Sequence, residues 1–287
     1  MTRIIYVNGR YLPYGQARVH AEDRGFQFAD AIYEVCEVRG GRLVDATRHL
    51  NRLARSLDEL KIPAPMTPAA CAQVLRETIR RNRVNNGMVY LQVSRGAGRR
   101  EFHFPPSQVR PTVVCLARSM SAARSEAAAA IGIAVKTMPD IRWGRCDIKT
   151  VMLLPAALAK EAARAEDAKE AWLVDADGYV TEGASSNAWI VDRDGRLVTR
   201  QIDSAILRGV TRSTLLDLLA QQGLEVVERP FTVAEAKAAR EAFVTSATNI
   251  VMPVVRIDGQ AIGNGVPGLL TLKLRADFHS SAEIAEG

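Results

Sequence analysis

The Asx-Gly pairs Asn8-Gly9, Asp177-Gly178 and Asp194-Gly195 constrain this chain more than any other feature. Each pair suits a two-residue turn that needs positive φ, and each stands between short apolar or alternating runs, the signature of a hairpin. Ile4 to Val7 and Arg10 to Leu12 flank the first pair. Ala171 to Val174 and Tyr179 to Glu182 flank the second, and Asn187 to Val191 and Leu197 to Thr199 the third. Antiparallel strands are therefore expected near the start of the chain and again in its second half.

Helices are expected between them. Asp45 or Thr47 can cap a helix through Leu60, with Leu50, Leu53, Leu57 and Leu60 on one face. Thr67-Pro68 opens another by cap and proline, with Val74, Leu75 and Ile79 inward. Ala31 to Val38, closed by Gly40-Gly41, and Met88 to Ser94 and Thr112 to Ala117 read as strands. Ser119 to Ala130 is rich in serine and alanine and reads as a connection between domains, with a short helix as the other reading. Beyond it come strands at Ile131 to Lys136, Ala242 to Thr245 and Val251 to Ile257. Helices fit Pro155 to Ala165, Val210 to Gln222, Val233 to Ala239 and Pro267 to His279. The expected division is an N-terminal α+β domain at 1–118, a linker at 119–130 and a C-terminal domain at 131–287.

A net charge of +6 and a pI near 9.3 raise nucleic-acid binding. The basic residues are scattered among acids with no run of five, so none is expected. The four cysteines (Cys36, Cys71, Cys115 and Cys146) form no C-x-x-C pair, which suits a reducing cytosol and argues against a zinc ribbon. The four histidines have no metal-ligand spacing, so no metal is expected. The opening Met1 to Gly9 holds no signal-peptide core, and no run is long and apolar enough for a membrane span.

Lysine is scarce, with seven residues against thirty-one arginines. Lys149 precedes the apolar Val151-Met152-Leu153-Leu154, a run that reads as buried. A lysine desolvated there becomes a nucleophilic amine able to form a Schiff base; in a shallower place it snorkels to water. Thr181-Glu182-Gly183-Ala184-Ser185-Ser186-Asn187 sets a carboxylate among small and hydroxyl residues. Read alone it is a polar turn, but Glu182 could also hold a protonated ring nitrogen in its charged form. Leu207-Arg208-Gly209-Val210-Thr211 opens a helix, either as an ordinary cap or as a phosphate seat. Ser246 follows a strand and can add a hydroxyl. Arg52 can offer a guanidinium fork, or simply be a solvated helix residue.

In order, His49-x-x-Arg52-Leu53, Arg142-Trp143 with Cys146-Asp147-Ile148-Lys149, Thr181-Glu182-Gly183, Gly209-Val210-Thr211-Arg212 and Val244-Thr245-Ser246 resemble the fold-type IV pyridoxal-phosphate enzymes. Within them the chain most closely resembles the D-amino-acid aminotransferases. Glu22 to Asp30 with Ile32-Tyr33-Glu34-Val35 is similar to their N-terminal signature. The resemblance runs over nearly the whole chain.

It implies an α+β fold of two domains, the N-terminal one small and the C-terminal one a larger mixed α/β domain, in a cytoplasmic homodimer. It implies pyridoxal 5'-phosphate held by Lys149 as an internal aldimine, Glu182 at the ring nitrogen, Leu207 against the ring, and Arg52, Val210, Thr211 and Ser246 at the phosphate. The reaction implied is ping-pong transfer of an amino group from a D-amino acid, such as D-alanine or D-glutamate, to a 2-oxo acid. An (R)-selective amine or branched-chain aminotransferase and an aminodeoxychorismate lyase are the alternatives. Substrate carboxylate would meet Tyr33, Arg100 and His103. The relatives carry Arg-x-His where this chain reads Arg100-Glu101-Phe102, with His103 one place later, a shift that in extended chain points a side chain to the opposite face. Phe102 would make the pocket more apolar and remove one donor. Ala247 stands where close relatives carry a hydroxyl.

Overall fold

The computed structural model describes residues 3–285. Met1 and Thr2, which open the stretch read for a signal peptide, and Glu286 and Gly287, which close the expected C-terminal domain, lie outside them. The chain divides into two compact units. One holds the chain up to Ala122, Ile148–Met152 and the residues from Glu283 on; the other holds Ala123–Asp147 and Leu153–Ala282. The change at Ala122 falls within the 119–130 stretch. The short segment bearing Lys149 groups with the first unit although the surrounding sequence belongs to the second.

The first unit begins with the expected hairpin, β1 (Ile4–Val7) and β2 (Arg10–Pro13), turning through Asn8 and Gly9 at positive φ. A five-residue helix, α1 (Arg24–Phe28), follows, capped by Asp23, whose carboxylate accepts from Gly25 N–H. Next come β3 (Ala31–Arg39), β4 (Arg42–Leu43), α2 (Ala46–Glu59), α3 (Pro68–Asn82), β5 (Gly87–Ser94) and β6 (Thr112–Ser119). The six strands make one antiparallel sheet in the order β2-β1-β6-β5-β3-β4.

Alternation decides what each sheet face meets. Cys36, Val38, Val89, Leu91, Val93 and Cys115 are buried, and α2 and α3 pack against the sheet. Tyr33, Val35, Tyr90 and Gln92 occupy the opposite face and stay half-buried. In α2 the buried stripe is Leu53 and Leu57 with His49; Leu50 and Leu60 are only half-buried. Asp45 takes its cap position at φ 54° with its carbonyl accepting from His49 N–H (3.1 Å) and no side-chain cap bond. Glu283 serves there instead, its carboxylate accepting from Thr47 N–H (3.3 Å) and Thr47 Oγ1 (2.9 Å). Thr67 caps α3 as expected, accepting from Ala70 N–H.

The second unit runs through α4 (Ala122–Ile131), β7 (Ile133–Pro139), α5 (Leu154–Ala165), β8 (Glu170–Val174), β9 (Val180–Gly183), β10 (Asn187–Val191), β11 (Leu197–Thr199) and α6 (Val210–Gln221). It continues with β12 (Val226–Glu228), α7 (Val233–Lys237), β13 (Glu241–Ser246), β14 (Ile250–Ile257), β15 (Gln260–Ala261) and α8 (Leu269–Ser281). Its strands form one mixed sheet, β12-β11-β10-β13-β14-β7-β8-β9, with β15 on β14. The pairs β11–β12, β14–β7 and β7–β8 are parallel. Both sheet faces are covered. Along β10, Ala188 and Ile190 join a core with Trp172 and Phe231, while Trp189 and Val191 join one with Leu215, Phe243 and Phe278. A strand buried on both faces reads as a continuous apolar run, as Asn187–Val191 does.

Two expectations shift. The Ser119 to Ala130 stretch is largely helical, because its alanines favour a helix and Ala129 enters the core. The strand expected from Ile131 starts at Ile133, since Gly132 at φ 80° ends α4 where a Cβ would overlap Val255. A third expectation is overturned. Of the run after Lys149, Met152, Leu153 and Leu154 are 40%, 41% and 70% exposed. The face that α5 buries is Ala156, Ala159 and Ala163, which leaves these longer side chains uncovered by their own chain. Among the described residues no helix is long and apolar enough to cross a membrane.

Candidate active site

Lys149 is placed by strand pairing. β4 pairs only with Val38 and Arg39, so the first residues of β3 have an unclaimed edge. The Lys149 segment takes it: Tyr33 N–H donates to Lys149 O (3.0 Å) and Val151 N–H to Ala31 O (3.0 Å). The half-buried Lys149 Nζ then lies 3.3 Å from Tyr33 Oη and 4.3 Å from that ring's centroid. Tyr33 stacks on Tyr90, and the Tyr90 hydroxyl donates to Gln92 Oε1 (2.7 Å). Burial, with Tyr33 alongside, raises the Tyr90 pKa and keeps that hydroxyl protonated. A cleft of about 470 Å³ opens beside this face, its lining including His20, Phe26, Gln92 and Val151.

Arg52 directs its fork at Glu34, through Nε to Oε1 (2.8 Å) and Nη2 to Oε2 (2.7 Å). His49 Nδ1 lies 2.7 Å from the same Oε2. Burial pushes the Glu34 carboxyl up, but the charge and hydrogen bonds of Arg52, with His49, bring it down to about 2. Arg52 is thus held rigidly by a buried anion.

The loop with Arg100, Phe102 and His103 is fastened by backbone contacts. Asp30 accepts from Arg24 Nε (2.8 Å) and from both Nε and Nη2 of Arg95. Arg24 Nη1 reaches the carbonyls of Glu101 (2.7 Å) and His103 (3.4 Å), on either side of Phe102. Phe102 meets Phe28 edge-on, and the Arg100 guanidinium lies 5.2 Å from the same ring. Phe102 is 82% exposed, and the His103 side chain is exposed as well.

In the second unit the buried Glu182 carboxylate sits among donors. Arg142 Nη1 donates to Oε1, Asn187 Nδ2 to Oε2 (2.9 Å), and Leu207 N–H reaches both oxygens at 3.2 Å. Arg142 also forks Asp140 through Nε (2.9 Å) and Nη2 (2.7 Å). Burial works against the Arg142 cation, yet the bonds to Asp140 and the charge of Glu182 raise its pKa. Thr181 Oγ1 donates to Asp140 Oδ2 (2.7 Å). The hydroxyls of Ser185 and Ser186 donate to the buried Glu170, so they secure the turn after Glu182.

Asn187 joins this carboxylate to the start of α6, since its Nδ2 also donates to Leu207 O (2.9 Å). The cap position of α6 is Gly209, which leaves the first-turn N–H groups without a side-chain cap. A Cβ on Gly209 would overlap Asn187 Oδ1. Val210 and Thr211 are buried within that turn. Asn187 pairs in register with Thr245, whose neighbour Ser246 ends β13 with Oγ accepting from Asn249 N–H (3.3 Å). Arg212 faces away from this seat, pairing with Glu228 and Arg200 O. The donor set suits a phosphorylated, cationic ring: first-turn helix amides and hydroxyls at one place, a carboxylate paired with Arg142 at another.

Sequence reading had given no role to Arg142, Asp140, Asn187, Glu34 or Arg24. Arg142 and Arg24 each join a near carboxylate to a group far along the chain, and the distant half of each pairing leaves no local pattern.

A family model described as "Amino-transferase class IV" matches residues 31–257. D-alanine aminotransferase of Staphylococcus haemolyticus is 36% identical over 283 residues, 99% of both chains. D-alanine aminotransferase of Bacillus licheniformis is 36% identical over 277 residues, 96% of both. Among solved structures, a T.th. branched-chain amino acid aminotransferase with pyridoxamine 5'-phosphate is similar with TM-score 0.87 and 25% identity, covering 98% of this chain and 94% of that one.

Proposed function

Because the chain belongs to the class IV aminotransferases, we propose that it moves an amino group from a D-amino acid, D-alanine or D-glutamate, to a 2-oxo acid with pyridoxal 5'-phosphate as cofactor. The near-full-length likeness to D-alanine aminotransferases supports the substrate class. The observation that carries the chemistry is the buried Glu182 carboxylate, which accepts from Arg142, Asn187 and Leu207 N–H.

The residues fit the cofactor. Lys149 would hold its aldehyde carbon, Glu182 its ring nitrogen and Leu207 its ring face. Val210, Thr211, Ser246 and Arg52, the last oriented by Glu34, would hold the phosphate. When bound, the cofactor supplies an electron sink for the carbon that loses its proton. Lys149 Nζ takes the proton from the donor's Cα and returns one, with Tyr33 Oη beside it to orient the amine. Glu182 holds the ring proton. Tyr33, Arg100 and His103 receive the substrate carboxylate. Donor and acceptor use one site in turn, which gives ping-pong kinetics.

One observation favours a second reading. Phe102, exposed beside Arg100, presents an apolar surface where the Arg-x-His pattern of the relatives has its histidine. A donor without a carboxylate, such as an (R)-amine, or a branched-chain amino acid would suit it. Initial rates with D-alanine, L-alanine, L-leucine and (R)-1-phenylethylamine separate the readings. D-alanine is expected to be the best donor; L-leucine as best donor would reject the D-amino-acid assignment. A homodimer is part of the proposal, supported by the apolar side chains that the single chain leaves exposed. So is a reducing cytosol, which the free cysteines suit. No nucleic-acid partner is proposed.

A further inference from the structure

Glu182 is one member of a charged group of three, and neither of the other two touches the cofactor in the proposal above. Arg142 lies between two carboxylates, donating to Glu182 with Nη1 and to Asp140 with Nε and Nη2. Its Nη2 also reaches Ala205 O (3.0 Å), and Arg142 N–H donates to Asp140 Oδ1 (3.1 Å). All three side chains are nearly buried, at 13%, 11% and 6% exposure for Arg142, Asp140 and Glu182.

We infer that Asp140 and Arg142 are a positioning pair for the reaction: Arg142 orients Glu182 and keeps it ionised, and Asp140 cancels the Arg142 charge so that the group presents one net negative charge to the cofactor's ring nitrogen. The inference rests on the reading of Glu182 as that nitrogen's partner. An Arg142–Glu182 pair alone would be neutral and would hold a cationic ring weakly. Two carboxylates around one guanidinium leave a single negative charge. The guanidinium sends two donors, Nε and Nη2, to Asp140 and one, Nη1, to Glu182, so Asp140 is the counter-ion. Thr181 Oγ1 fixes Asp140 from the strand that carries Glu182. Cys146 is the other titratable group against this cluster, and burial pushes its thiol up to about 11, so it adds no charge at neutral pH.

The test uses holoenzyme loaded with pyridoxal phosphate labelled with ¹⁵N in the ring, whose nitrogen signal reports the ring proton directly. Asp140→Asn removes the charge with little change of shape, and Asp140→Ser repeats the change with a smaller side chain should the first fail to fold. The midpoint for loss of the ring proton is expected to fall by about one pH unit or more. Turnover is expected to fall about tenfold with donor KM nearly unchanged. Asp140→Glu should restore both. A purely structural Asp140 would lower the melting temperature in all three variants and leave the nitrogen signal in place, and that result overturns the inference. Glu182→Gln is the control. If it strips the ring proton while both neutral Asp140 variants keep it, the positioning pair is rejected and Glu182 stands. If it leaves the ring protonated, the reading of Glu182 fails and the inference falls with it.

Discussion

Glu34 shows what a single residue contributes here. Its carboxylate is buried and shared by Arg52 and His49, and its pKa falls from the usual 4.5 to about 2. A depressed carboxyl stabilises the fold fully above its unfolded pKa and loses that contribution as pH falls through the folded one. The window is therefore about pH 4.5 down to 2, and the contribution is on the order of 3 kcal/mol. Urea unfolding across that window should show wild-type stability declining more steeply with acid than that of Glu34→Gln; parallel slopes would deny the coupling. Lys149, Glu182 and Thr211 are proposed from their neighbours in sequence, although the run read as buried after Lys149 is largely exposed. Arg142 could not be given a role, since the carboxylate it orients lies 40 residues on. Arg24 was equally opaque, its carbonyl partner Glu101 being 77 residues away. A pairing at such separation leaves no periodicity to read.

Elements were legible in proportion to their length. The stripe of α3, the proline and threonine at its start, and the turns at Asn8-Gly9, Asp177-Gly178 and Asp194-Gly195 stand in the structure where the pattern placed them, while α2 buries only Leu53 and Leu57 of its four expected leucines. The helix α1 and the strand β12 went unread: five and three residues show no period, and no Asx-Gly turn marks β12 as one marks the equally short β11. The start of α6 ties an element to function. Its first turn is uncapped because Gly209 brings the backbone against Asn187. Gly209→Ala should push Asn187 away from Leu207 and Glu182, weakening cofactor binding about tenfold or more with a smaller loss of stability. Cofactor release followed by absorbance after dilution measures it. An unchanged dissociation constant would detach this helix start from the phosphate.

At the scale of the whole molecule, the two units have different kinds of surface. The second is a sheet covered on both faces, the first a sheet covered on one. Phe26, Phe102 and Leu154 stand more than two-thirds exposed. The sequence could not show this, because an apolar run reads alike whether its own chain or another covers it. Sedimentation should find a particle of about twice the 31.3 kDa chain, and Leu154→Lys should shift it toward one chain. A single-chain mass at all concentrations would remove the dimer from the account. The central claim is that the Lys149 amine carries the cofactor. Borohydride reduction of the yellow holoenzyme, followed by peptide mapping, should place the pyridoxyl label on Lys149, and Lys149→Ala should yield no reduced adduct and no turnover. A label on any of the other six lysines, or turnover surviving in the alanine variant, would contradict it.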